Sequence, residues 1–184
     1  CRVIGEGGNL GLTQLGRIEF SHRGGLCHTD AIDNSAGVDT SDHEVNIKIL
    51  LSAALEAHEI DMDERNTLLE AMTEEVALLV LRNNYAQTQA LALAVDRAPS
   101  LIHHHSRAMR QLERSYGLDR ELEHLPGDEE IAERISRGQG LTRPELAVLL
   151  AHSKISTYQI LLESDVPEDP FLGEDLQRYF PQAL

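Results

Sequence analysis

Gly5-Glu6-Gly7-Gly8-Asn9-Leu10-Gly11-Leu12-Thr13 is the stretch on which the reading of this chain turns. The spacing Gly5-x-Gly7-x-x-x-Gly11 approaches the glycine pattern of a dinucleotide-binding turn. In such a turn, backbone N–H groups come close to a pyrophosphate and a helix N-terminus adds partial positive charge. The last glycine comes one residue late, because Leu10 stands where the pattern places it. The context also differs. A first fingerprint opens a helix and is followed by further strand–helix units. Here Gly16 follows, then short strand candidates, then helical patterns only. On spacing alone, a tight turn needing positive φ is the simpler reading. The other reading puts the turn on the ligand side of the last strands of a nucleotide-binding sheet.

Outward from this stretch, residues 2–4 form a short apolar strand candidate. Residues 17–21 alternate, with Ile18 and Phe20 on one face, and residues 26–32 could be a third strand. Ser41 and Glu44 have capping-box spacing before an apolar helix through Leu55. Asp63 is expected to cap a short helix to about residue 72. A long helix is expected from Thr73 to about residue 95, and another from Pro99, where proline suits a first turn, to Gly117. Asp128 is expected to cap the next, and Gly138-Gln139-Gly140 reads as a flexible joint. Thr142 and Glu145 form a second capping box before a helix through Leu161. Pro167 and Pro170 break that helix, and a last short one reaches about Tyr179. The predicted fold is mainly α: a few short N-terminal strands, the remnant of a Rossmann-like coenzyme domain, followed by a helical bundle.

Composition bounds the function classes. The chain has 184 residues, a net charge of −15, 4% aromatics and no Trp. Its core must therefore come from Leu, Ala, Ile and Val, which suits helix packing. The acidic surface argues against a nucleic-acid partner. No apolar run reaches the ~18 residues that span a bilayer, so no membrane partner is expected. Two cysteines, Cys1 and Cys27, read as a reducing, cytoplasmic setting. There is no initiator Met, and the chain opens in what reads as mid-strand, so a piece of a longer chain is expected.

Asn34-Ser35-Ala36-Gly37 precedes the Ser41 helix. An Asn side chain both donates and accepts, so Asn34 suits a carboxamide such as nicotinamide, although Asn is also a common turn residue. A hydroxyl at a helix N-terminus, as expected of Ser41, can hold a carboxylate. His103-His104-His105 is not expected to hold a metal, because successive helical side chains point ~100° apart. His22 and His28 flank a glycine turn and read as loop polarity. No Ser/His/Asp or Cys/His nucleophile arrangement is present, and no catalytic or metal-binding residue is assigned.

Glu6-Gly7-Gly8-Asn9 followed by Asn34-Ser35-Ala36-Gly37-Val38-Asp39-Thr40-Ser41-Asp42-His43-Glu44 resembles the closing section of the coenzyme domain of glutamate dehydrogenases. That family carries Glu-Gly-Ala-Asn, then Asn-Ala-Gly-Gly-Val-x-x-Ser-x-x-Glu. The phrases at residues 5–14, 29–38 and 140–146 resemble the large NAD-specific enzymes of bacteria. The resemblance implies that Gly7, Gly8 and Asn9 lie beside the coenzyme NAD, Asn9 at the nicotinamide ribose. It implies that Asn34 faces nicotinamide and substrate, and that Ser41 binds the side-chain carboxylate of glutamate. Ser35 and Ala36 depart from the family's Ala-Gly pair, and Asp42-His43 from an aromatic pair.

The implied function is that of part of an NAD-dependent glutamate dehydrogenase, an oxidoreductase of amino-acid catabolism that converts L-glutamate to 2-oxoglutarate and ammonia. Residues 1–57 would close the NAD-binding domain, and residues 58–184 would form an all-helical C-terminal domain. The family's catalytic Lys and Asp match nothing here, so the 184 residues alone are expected to be inactive. Expected partners are glutamate or 2-oxoglutarate, the remainder of the chain and, in the full protein, further copies of itself. The competing readings are a helical interaction module without ligand binding and another amino-acid dehydrogenase.

Overall fold

The computed structural model describes residues 1–184 and contains eight α-helices: α1 Gln14–His22, α2 Asp30–Asp33, α3 Ser35–Glu56, α4 Met62–Ala71, α5 Thr73–Tyr116, α6 Asp128–Ser136, α7 Arg143–Leu162 and α8 Gly173–Tyr179. The expectation of a helical chain holds. The expected N-terminal strands and Rossmann-like remnant do not, because the chain has no strand and no sheet. Val3 and Leu26 make one isolated bridge, with Ile4 N donating to Leu26 O and Leu26 N to Arg2 O, both at 2.9 Å.

Each error has a local cause. Residues 17–21 are helical because Thr13 caps α1, its side chain accepting from Gly16 N. Five alternating residues span little more than one helical turn, so periodicity could not separate the two states. After Leu26 the chain turns at Thr29 into α2, where only Ile32 is buried among apolar residues.

Ser41 does not start a helix. α3 begins at Ser35, so Ser41 and Glu44 lie inside it and form no capping box. Ser35 Oγ donates to Asn84 Oδ1 at 2.7 Å, and Asn83 Nδ2 donates to Asp39 Oδ2 at 3.0 Å. These two bonds anchor the added turns to α5. Asp61, not Asp63, caps α4 in a full box with Glu64. The Thr142–Glu145 box forms as expected: Thr142 N and Oγ1 donate to Glu145 Oε2 at 2.6 and 2.7 Å.

α5 runs unbroken through Pro99. An interior proline costs about 3 kcal/mol. Leu91, Ala98, Ile102, Met109 and Leu112 keep one buried stripe in phase across it, and that burial decides. Gly140 is no mere joint. A Cβ there would sit 2.3 Å from the Ala98 carbonyl carbon and 2.6 Å from Pro99 N, so only glycine allows this backbone approach. Gly138, with φ +65°, is the left-handed residue that follows α6.

The chain divides into two compact units. One comprises residues 1–34 and 86–163, the other residues 35–85 and 164–184. The first has a core built on Leu91, Ile102, Met109, Ile131, Leu141 and Leu146. Arg134 of α6 donates from Nη1 to Glu145 Oε2 at 2.8 Å and from Nη2 to Oε1 at 2.7 Å, both side chains being buried. That pair fixes the start of α7 to α6. The second unit packs Ile47, Leu51 and Met72 with Leu68, Val76 and Phe180. In it, His43 stacks on Tyr179 with ring centroids 4.4 Å apart.

Candidate functional site

The glycine stretch forms an irregular loop between the Val3 bridge and α1, and Glu6 sits at its centre. Glu6 is 6% exposed, whereas Gly7, Gly8 and Asn9 are exposed. Arg17 grips Glu6 with both prongs, Nε to Oε2 at 2.6 Å and Nη2 to Oε1 at 2.9 Å. A buried carboxylate needs such a partner. Those hydrogen bonds, Arg17 foremost, hold the Glu6 carboxyl below its ordinary pKa and raise that of Arg17.

The loop is moulded around three carboxylates. Leu12 N donates to Glu6 Oε1 at 2.8 Å, Leu10 N to Asp30 Oδ2 at 2.9 Å, and Glu6 N to Asp33 Oδ2 at 2.9 Å. The Leu10 amide is the chief cause of a lowered pKa at Asp30. Leu10 itself takes φ +62°, so a non-glycine residue holds the turn's left-handed position. Gly11 is packed tightly, because a Cβ there would lie 3.0 Å from Glu6 Oε1. Gly7 and Gly8 have nothing within 4 Å of a Cβ position, and their amides make no intrachain hydrogen bond.

Two of the expected ligand residues meet directly. Asn34 Nδ2 donates to Asn9 Oδ1 at 3.0 Å, across 25 positions of sequence. Asn34 closes α2, its N–H donating to Asp30 O at 2.8 Å. The Asn9–Asn34 bond leaves Asn9 Nδ2 as a donor and Asn34 Oδ1 as an acceptor. Side by side, these complement the C=O and NH₂ of a carboxamide.

Ser41 lies in the other compact unit, exposed on α3 and two turns from the helix start. It therefore lacks the helix-end charge expected of it and offers a hydroxyl alone. Lys48 pairs with Glu44 on the same helix at 2.5 Å, and Lys154 Nζ donates to Gln87 Oε1 at 2.9 Å. Both lysines are exposed on helix surfaces.

Sequence reasoning missed the supports of the loop: Arg17, Asp30, Asp33, His28 and Arg143. His28 Nδ1 lies 2.9 Å from Asp33 Oδ1, and its Nε2 lies 3.3 Å from Arg143 Nη1. Gln14 Nε2 donates to Pro144 O at 3.3 Å. The available signal was Asp30-x-x-Asp33, which puts two acids on one face of a helical turn.

Residues 1–94 match the family model described as bacterial NAD-glutamate dehydrogenase, catalytic domain, and residues 138–184 match that of glutamate dehydrogenase, C-terminal. The chain belongs to the bacterial NAD-glutamate dehydrogenase family. Over all 184 residues it is 56% identical to an NAD-specific glutamate dehydrogenase of Pseudomonas aeruginosa, 50% to one of Mycobacterium tuberculosis and 49% to one of Halomonas elongata. In each case it spans 11% of the relative's length. Within this family segment, the Asn9–Asn34 loop lies in the part matched to the catalytic domain, and Arg143 in the part matched to the C-terminal region. No helix is long and apolar enough to cross a membrane.

Proposed function

We propose that the chain is a working part of an NAD-dependent glutamate dehydrogenase. The whole enzyme oxidises L-glutamate with NAD⁺ and water to 2-oxoglutarate, ammonium and NADH. The observation that carries this reading is the Asn34–Asn9 hydrogen bond, which sets a free amide donor beside a free amide acceptor at an exposed loop. NAD supplies hydride acceptance when bound. The chain's own part is to hold it: Asn9 and Asn34 at the nicotinamide side, Gly7 and Gly8 by backbone approach in the open space around them. The fit rests on three features. The loop is held from below by carboxylates, its glycine amides are unspent, and its two Asn side chains are oriented by each other.

Ser41 donates its hydroxyl to the side-chain carboxylate of glutamate, a role supported by its place in the family's motif and its exposure on α3. Residues 1–57 close the NAD-binding domain, and residues 58–184 form the C-terminal helical domain. The catalytic Lys and Asp come from the remainder of the chain. The full protein works as a homo-oligomer in the cytoplasm, a setting supported by its two sparse cysteines.

NAD titration into the full-length enzyme tests the reading. Asn9→Ala and Asn34→Ala are expected to weaken NAD binding, and the isolated 184 residues to show no turnover with glutamate and NAD. Unchanged NAD affinity in both variants would favour a helical interaction module, and turnover by the isolated chain would refute the division of labour. Activity of the full-length enzyme on a different amino acid, with none on glutamate, would reassign the Ser41 pocket.

A further inference from the structure

His28 belongs to no motif, yet it stands between two charged groups of opposite sign. Asp33 of α2 faces its Nδ1 at 2.9 Å, and Arg143 at the first turn of α7 faces its Nε2 at 3.3 Å. A guanidinium can only donate and stays charged. The Nε2 that receives Arg143 is therefore unprotonated, and the ring's single proton is on Nδ1, donated to Asp33 Oδ1. The other oxygen of Asp33 accepts from Glu6 N at 2.9 Å, at the base of the loop. One chain of hydrogen bonds thus runs Arg143–His28–Asp33–Glu6. The Glu6 side chain in turn pairs with Arg17, which lies 3.4 Å from Asp30.

We infer that His28 is a positioning residue, through which the start of α7 sets the coenzyme loop. The coupling runs through the His28 ring, which presents one nitrogen to each element. The Gln14–Pro144 bond at 3.3 Å is a second, separate tie to α7, made from the start of α1. This inference rests on the reading of Gly7, Gly8 and Asn9 as coenzyme contacts, and its test separates the two.

The experiment compares the full-length enzyme with His28→Asn, Arg143→Met and the double variant. Asn retains a donor near the Nδ1 position for Asp33 but cannot reach Arg143. KM for NAD is expected to rise about two- to tenfold in each single variant, the range one hydrogen bond supports. kcat is expected to change by less than about twofold, consistent with a loss confined to coenzyme binding. The double variant should be no worse than either single one, because the two residues act through one bond. Multiplying effects in the double variant would overturn the coupling.

Hydrogen exchange of the Glu6, Leu10 and Leu12 amides, without coenzyme, gives the second readout. Faster exchange in His28→Asn is expected. Faster exchange with an unchanged KM would support the coupling and refute the loop as a coenzyme site. Unchanged exchange would refute the coupling itself.

Discussion

Arg17 of α1 and Glu6 of the glycine loop form a buried two-pronged ion pair, 2.6 and 2.9 Å long, and the loop's shape is built on it. Glu6 Oε1 also accepts from Leu12 N. Removing one partner of a buried pair strands the other without water, at a cost of about 3–5 kcal/mol. Arg17→Met is therefore expected to lower stability by that order in chemical denaturation, and Glu6→Gln by less, since Gln still accepts from Leu12 N. A loss under about 1 kcal/mol in Arg17→Met would show that the loop is held elsewhere.

The same carboxylates give the protein an acid limit. Glu6 and Asp30 both have folded-state pKa values below their ordinary ones, the first chiefly through Arg17 and the second through the Leu10 amide. A depressed carboxylate pKa stabilises fully above the unfolded value, about 4, and is lost as pH falls through the folded value. Stability is thus expected to decline below about pH 4 more gently in Asp30→Asn than in the parent. Thermal melts across that range measure the slope, and equal slopes would remove Asp30 from the account.

Much of this was legible in the residues and part was not. The Thr142–Glu145 box, the break at Pro167 and the helical character of the second half followed from caps and periodicity. The strand at residues 17–21 failed because five alternating residues do not separate strand from helix, and Thr13, outside that run, caps it as helix. Pro99 misled for a similar reason, since its local preference is overridden by the buried stripe from Leu91 to Leu112. At the site, the motif brought Asn9 and Asn34 to notice, and the fold joins them. The charged underside went unseen because its members lie far apart in sequence: Glu6, Arg17, Asp33 and Arg143.

Gly140 offers a direct test of the α5 crossing. The close approach to Ala98 and Pro99 is to backbone, which cannot swing away as a side-chain end would. Gly140→Ala is expected to cost about 1–3 kcal/mol or more, the range for overpacking. A neutral Gly140→Ala in urea denaturation would mean that α5 yields there.

His105 is half-buried on α5, and burial lowers its pKa while its Nδ1 has no hydrogen-bond partner. A histidine with a depressed folded-state pKa loses stabilisation as pH falls below its unfolded value, about 6.5, because the unfolded chain takes the proton more readily. His105→Leu is expected to melt higher than the parent at pH 5.5, with a smaller difference at pH 8. An identical gain at both pH values would assign the effect to packing alone.

The Asn9–Asn34 bond bears most directly on function, and a double-mutant cycle can isolate it. Each side chain has two jobs in the proposed reading: it orients its neighbour and it presents one polar group outward. Asn9→Ala removes the outward donor and leaves Asn34 Nδ2 without its acceptor. Asn34→Ala removes the outward acceptor and frees Asn9 to turn. Because the bond is exposed, stability should change by no more than about 0.5–1.5 kcal/mol in either variant. Coenzyme affinity should change more than stability does, and the two losses should be less than additive, since breaking the bond once already disorders both groups. Isothermal titration of NAD into the full-length enzyme and its three variants gives the coupling energy. Strictly additive losses would show that the two amides act on the coenzyme independently.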